Sequence, residues 1–69
     1  MSVKAEVSFL VYHNGIGRIE DRTMELSDQD YTACSSSDRN DNEQLKSWAK
    51  MMFPTAEDVK IQYVTQLFE

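Results

Sequence analysis

The chain has 69 residues, with 12 acidic and 7 basic side chains, a formal net charge of −5 and one cysteine. This length allows one domain, residues 1–69, which would bury only ~60% of the surface of its unfolded chain. The acidic balance disfavours direct binding to nucleic acid, because phosphate contacts need a basic face. No apolar run approaches the ~20 residues of a membrane span.

The first predicted element is a strand at residues 3–12. Apolar residues occupy every second position of this segment: Val3, Ala5, Val7, Phe9 and Val11. This alternation is typical of a strand with one buried face. Asn14-Gly15 follows and predicts a tight hairpin turn, since both residue types tolerate a positive φ.

The return strand of this hairpin is predicted at residues 18–26. Its alternation is imperfect, because Ile19 is out of phase with Met24 and Leu26. One extra residue in a strand reverses the side-chain facing after it. The sequence therefore predicts a β-bulge within residues 20–23.

Residues 27–42 are polar, include three successive serines and have no clear period. Within them, residues 31–34 could form a short third strand. The alternative is a mobile functional loop, although a loop of this length without structure is unusual in a compact domain.

An amphipathic helix is predicted after this polar segment. Asn40 is the expected N-cap, with Glu43 completing a capping box. One apolar stripe then recurs at helical spacing: Leu45, Trp48, Ala49, Met52 and Phe53. Glu43 and Lys46 are spaced for an i,i+3 ion pair, and Pro54 should end the helix.

The last predicted strand, at residues 59–68, alternates again. Val59, Ile61 and Tyr63 share one face, and Val64 lies on the other. The fold class is therefore α+β: a small, antiparallel-dominated sheet of order β-β-(β)-α-β with one helix packed on one face.

Acidic residues cluster in residues 18–43, where eight acids meet three arginines and account for the whole net charge. Such a surface can be steered towards a basic surface on another protein; the alternative is a solvated segment that aids solubility. The candidate partner-binding residues are Glu20, Asp21, Glu25, Asp28, Asp30, Tyr31, Asp38 and Asp41.

A second candidate surface is the sheet face opposite the helix. Four apolar side chains are predicted there without a partner inside the chain: Leu10, Tyr12, Val64 and Phe68. If they cluster, they would form an exposed patch of the kind that marks an interface. A structural or assembly protein that works as a homo-oligomer through this face, for example as a homodimer, is therefore the alternative function.

Catalytic chemistry, metal binding and cofactor binding are not supported by the sequence. His13 and Cys34 are the only residues of their types, so neither a Cys–His pair nor a four-ligand zinc site is expected. Residues 38–42 start like a calcium loop, but Glu43 replaces the required glycine and Ala49 the bidentate glutamate. We expect no enzyme and no cofactor.

The helix segment Glu43-Gln44-Leu45-Lys46-Ser47-Trp48 is similar to the start of the helix in one anti-CRISPR protein of the sheet-plus-helix kind. In size, acidity and element content the chain also resembles the small inhibitors that bacteriophages encode against host machinery. This resemblance implies a non-catalytic inhibitor that occludes a nucleic-acid-binding groove on a host protein. The single cysteine and the absence of a secretory pattern predict a cytoplasmic location, which would be the host cytoplasm for a phage protein.

Overall fold

A computed structural model describes residues 2–68. It contains one antiparallel sheet of three strands in the order β2-β1-β3, with two α-helices and one short 3-10 turn. The bounds are β1 Ser2–His13, β2 Ile16–Ser27, α1 Asp28–Ser35, the 3-10 turn Arg39–Asp41, α2 Glu43–Met52 and β3 Asp58–Gln66. The predicted α+β class is confirmed, with one more helix and no further strand in this range.

The core lies between the central strand and the two helices. Alternate residues of β1 supply four of its eleven buried apolar side chains within residues 2–68: Ala5, Val7, Phe9 and Val11. Phe9 is the centre of an aromatic cluster, with its ring 5.6 Å from Trp48 and 5.2 Å from Phe53, centroid to centroid. The period-2 pattern thus identified the buried face correctly.

The β1–β2 hairpin has an unbroken register from Ser2↔Ser27 to His13↔Ile16, so the predicted bulge in β2 is wrong. Ile19 is out of phase because it faces away from the helices, where 60% of its surface is exposed. The turn itself is as predicted: Asn14 and Gly15 both have positive φ, at 52° and 78°.

The sheet does contain a bulge, but in β3. Ser8 pairs with Tyr63 and Phe9 pairs with Ile61, so Gln62 is the extra residue. The bulge reverses the facing of the rest of β3: Tyr63 becomes 51% exposed, and Val64 packs against the core. The strict alternation predicted for this strand is therefore wrong beyond Ile61.

The suggested strand at residues 31–34 is instead part of helix α1. Ser27 caps this helix, because its Oγ accepts a hydrogen bond of 3.1 Å from the Asp30 amide. Asp28 and Asp30 in the first turn complement the helix dipole. Cys34 supplies the buried side chain that attaches α1 to the core.

Asn42, and not Asn40, is the N-cap of α2. Its Oδ1 accepts from the amides of Gln44 and Leu45 at 3.0 and 3.2 Å. Asn40 instead forms two hydrogen bonds with the backbone of Ile61: its Oδ1 accepts from the amide at 2.8 Å, and its Nδ2 donates to the carbonyl at 3.1 Å. Its side chain therefore takes the place of a neighbouring strand along the outer edge of β3.

Helix α2 agrees with its predicted face and end. Leu45 and Ala49 are buried, and Trp48 packs partly buried beside them. The expected Glu43–Lys46 pair is present at 3.9 Å. The helix ends at Met52, and Phe53, the residue before Pro54, is its C-cap.

Candidate binding cleft between the two helices

A cleft of about 270 Å³ lies between α1 and the first turns of α2. Its apolar lining comes from the end of β2 and from both helices: Leu26, Ala33, Cys34, Leu45 and Trp48. Its polar lining consists of one carboxylate and three side-chain amides: Asp30, Gln29, Asn42 and Gln44. No lysine or arginine lines it among the described residues, so the lining combines five apolar side chains with one carboxylate and three amides.

Cys34 belongs to the cleft wall but is fully buried. Burial raises the pKa of its thiol, the Asp30 carboxylate raises it further, and Arg39 opposes both effects. The thiol therefore stays protonated at neutral pH. It contributes a small apolar surface to the cleft and is not an activated nucleophile.

The segment that borders the cleft, residues 28–43, carries five carboxylates and a single basic side chain, Arg39. The guanidinium of Arg39 points away to backbone carbonyls. It donates to Ser36 O at 2.9 Å and to Ile61 O at 3.0 Å, and a third bond goes to Gln62 O. The cation therefore holds the 3-10 turn against β3, and residues 28–43, with five acids and one base, carry a net charge of −4.

The eight predicted partner-binding residues do not form one patch. The helical side holds Asp28 and Asp30 in the first turn of α1, Asp38 before the 3-10 turn and Asp41 within it. Of these four, only Asp30 lines the cleft. Tyr31 packs partly buried against the core, so it is an anchor of α1 and offers little free surface.

The other three predicted acidic residues lie on β2. Glu20 forms an ion pair with Arg22 at 3.2 Å on the helix side of the sheet. Asp21 and Glu25 are opposite Ser8 and Lys4 on the other face. The acidic stretch that is continuous in sequence is therefore divided among three surfaces.

The predicted face opposite the helices is only partly present. Leu10 and Tyr12 lie there and are half-buried. Both side chains cover Gly17, because a Cβ on Gly17 would be 3.2 Å from Leu10 Cδ1 and 3.1 Å from Tyr12 Cε1. Val64 faces the helices because of the β3 bulge, so its predicted place is wrong. Phe68 follows the end of β3 and is 84% exposed.

Most of the cleft was missed by the sequence patterns. The predicted apolar stripe contains Leu45 and Trp48, but helical spacing alone does not show that part of the stripe lines a cleft. Gln29, Ala33 and Cys34 had no assigned role, because α1 lacks an apolar period. The sequence signal for α1 was the capping pattern of Ser27 and Asp30, which precedes no hydrophobic run.

No known protein family, curated protein or solved structure gives a significant match to this chain. Within residues 2–68, no group of three or more metal-ligating side chains is placed to hold an ion. Neither helix in this range has the length and apolar character needed to cross a bilayer.

Proposed function

We propose that the chain is a non-catalytic binding protein that recognises a basic segment of another protein through the cleft between α1 and α2. The observation that carries this proposal is a lining that combines apolar side chains, a carboxylate with three amides, and no basic residue among those described. A cationic side chain with an apolar stem satisfies all three features.

The chemistry of the lining favours arginine in particular. The half-buried Trp48 ring offers an aromatic surface, over which a guanidinium is attracted electrostatically. Asp30 offers a carboxylate for charge-assisted hydrogen bonds, and Gln29 offers a neutral amide beside it. The apolar stem of the same side chain would cover Leu26 and Ala33.

The size of the cleft favours a side chain over a free small molecule. Small-molecule sites usually measure roughly 300–1,000 Å³, and this cleft of about 270 Å³ lies just below that range. One or two anchor residues of a protein surface would fill it, in the manner of an interface hot spot.

The biological consequence of this proposal is occlusion. Basic protein surfaces commonly hold nucleic acid, so an acidic protein that covers one would inhibit the partner without catalysis. The proposal includes a host-cell cytoplasmic location, which suits the single, protonated and buried thiol. This mode of inhibition is the one that the resemblance to anti-CRISPR proteins implies.

The first experiment uses the fluorescence of Trp48, which is the single tryptophan of the chain and lines the cleft. The probe is a synthetic amphipathic peptide of leucine and arginine, and the matched control replaces each arginine with glutamate. We expect the arginine peptide alone to shift the emission of Trp48. Its affinity should fall as the salt concentration rises, because exposed charges are screened.

Two acidic residues on the first turn of α1 provide matched variants. Asp30 lines the cleft and Asp28 does not, although both are exposed and both complement the same helix end. Asp30→Asn should weaken the peptide roughly tenfold, the size of one charge-assisted hydrogen bond, and Asp28→Asn should change it little. Equal effects of the two variants would show general charge attraction and would contradict the cleft as the site.

The second experiment tests occlusion. Wild type and Asp30→Asn are used to capture partners from a host lysate, and nucleic-acid binding by each captured partner is then measured with increasing amounts of the chain. Occlusion predicts a loss of nucleic-acid binding at a 1:1 ratio with wild type and a weaker loss with Asp30→Asn. A partner that binds nucleic acid equally well with and without the chain would refute the inhibitory mechanism.

A further inference from the structure

The two outer edges of the sheet differ. At the edge of β3, Asn40 pairs with both backbone groups of Ile61, and Arg39 donates to the carbonyls of Ile61 and Gln62. No segment among the described residues covers the hairpin end of β2 in the same way, and residues 16–19 are all exposed. One edge is therefore sealed by side chains, whereas the other is available for pairing.

The register identifies which backbone groups of β2 point outward. Tyr12 O accepts from Glu57 N and Lys4 O accepts from Leu67 N, so even-numbered residues of β1 direct their backbone groups towards β3. Odd-numbered residues of β1 therefore direct their backbone groups towards β2, where they form the hydrogen-bonded pairs with even-numbered residues. It follows that Gly17, Ile19 and Asp21 direct their N–H and C=O groups away from the sheet. The Asp21 carbonyl accepts a hydrogen bond of 3.0 Å from Arg22 Nη1 and keeps a second lone pair for a partner strand.

The charges along this edge are self-complementary about one residue. Arg18 and Glu20 flank Ile19 with opposite charges. In an antiparallel pair of two β2 strands centred on Ile19, Arg18 of each copy is opposite Glu20 of the other, twice by symmetry. Asp21 is then opposite Gly17, and Arg22 is opposite Ile16.

A register about Gly17 pairs neither like nor opposite charges, and the other symmetric registers centred within residues 18–23 all place like charges opposite each other. A centre at Arg18, Asp21 or Arg22 pairs that residue with its own copy. A centre at Glu20 does the same and also pairs Arg18 with Arg22, and a centre at Thr23 pairs Asp21 with Glu25. Like charges directly opposite are destabilising, so within residues 18–23 only the register about Ile19 avoids the penalty.

We infer that the hairpin end of β2 is a docking edge for a second copy of this chain, in antiparallel register about Ile19. The pair would form one continuous six-stranded sheet with six backbone hydrogen bonds between the copies, two at each of the three outward-facing pairs. The exposed side chains of Ile19 would meet at the two-fold axis, next to Leu10 on the same face. This surface is separate from the cleft, so its test is independent of the proposed function.

Charge exchange is the decisive experiment. The oligomeric state is measured by sedimentation equilibrium from about 10 µM to about 1 mM. Wild type should form a reversible dimer, and Arg18→Glu and Glu20→Arg should each raise the dissociation constant roughly tenfold or more, because two attractive pairs become repulsive. The double variant restores opposite charges between the copies. It also removes the Glu20–Arg22 pair within each copy, but that pair is exposed and contributes little, so the dissociation constant should return to within about threefold of wild type.

Cross-linking tests the register. Directly opposite residues of a hydrogen-bonded antiparallel pair lie ~5.5 Å apart at Cα, which suits a disulfide. Ile19→Cys should cross-link under mild oxidation, whereas Thr23→Cys on the same edge should not. A wild-type chain that stays monomeric throughout, a double variant that is not rescued, or a cross-link at Thr23 in place of Ile19 would each overturn the inference.

Discussion

Asn40→Ala tests whether one side chain seals the edge of β3. The substitution removes the bonds of 2.8 and 3.1 Å to the Ile61 backbone. The Ile61 carbonyl keeps its bond of 3.0 Å from Arg39, but the amide loses its partner. Since Ile61 is 2% exposed, water cannot readily replace that partner.

The expected loss of stability follows from these contacts. A lost hydrogen bond contributes about 0.5–1.5 kcal/mol, and a buried donor left without a partner costs about 1–3 kcal/mol. We therefore expect Asn40→Ala to lower the free energy of unfolding by about 2 kcal/mol. For a chain of this size, that corresponds to a fall of about 10 °C in Tm. Far-UV circular dichroism during thermal and urea unfolding measures both quantities.

Two variants separate this role from helix capping. Asn40→Asp keeps the acceptor for the Ile61 amide, so it should cost about 1 kcal/mol or less. Asn42→Ala removes the true N-cap and should cost about 1 kcal/mol, but it should leave hydrogen exchange at Ile61 slow. If Asn40→Ala lowers stability by less than about 0.5 kcal/mol and leaves exchange at Ile61 unchanged, the edge is not held by this side chain.

Three further substitutions test local features of the fold. Because burial and then Asp30 raise the pKa of the Cys34 thiol above its usual 9.0, the folded chain holds this proton more tightly than the unfolded chain. The difference in free energy of unfolding between wild type and Cys34→Ala should therefore not change with pH near neutrality. Above about pH 9 the wild type should lose stability relative to the variant, and a constant difference up to pH 11 would contradict this. Ser8→Ala should leave stability unchanged or raise it by about 1 kcal/mol in urea unfolding, because Ser8 Oγ is buried without a hydrogen-bond partner among the described residues; a loss above about 1 kcal/mol would show that a partner exists. Gly15→Ala places a Cβ at φ 78° and should cost about 1 kcal/mol, measured as a lower Tm, whereas an unchanged Tm would mean that the turn adjusts freely.

The elements that the sequence predicted well are those with a strong period or a specific turn. Ala5, Val7, Phe9 and Val11 of β1 are buried on one face, and Asn14-Gly15 forms the turn. Helix α2 was predictable because its apolar stripe packs against Phe9. In these segments local pattern and tertiary burial favour the same conformation.

The failures have two physical causes. A bulge cannot be located from alternation alone: the out-of-phase Ile19 suggested one in β2, whereas the residue simply faces away from the core. In β3 the alternation continued through Gln62, and the bulge there is fixed by tertiary bonds from Asn40 and Arg39. Helix α1 was missed because Cys34 is its only buried residue.

The chemistry of the candidate site was easier to predict than its geometry. The acidic character of residues 18–43 is real, and Asp30 does line the cleft. The cleft itself forms only because α1 and α2 pack side by side, so its apolar wall joins Leu26 with Ala33 and Trp48. No spacing in the sequence relates these three positions.

The polar segment before α2 serves the fold and the cleft at the same time, and this decides which variants can test function. Asn40 holds β3, and Asn42 both caps α2 and lines the cleft. Substitutions there would change stability and binding together. Asp30 and Arg18 are exposed, and their side chains form no hydrogen bond or ion pair within residues 2–68. Asp30→Asn and Arg18→Glu should therefore change peptide binding and dimer formation, respectively, with little loss of stability. An effect of either variant on the other's readout would show that the cleft and the β2 edge are coupled.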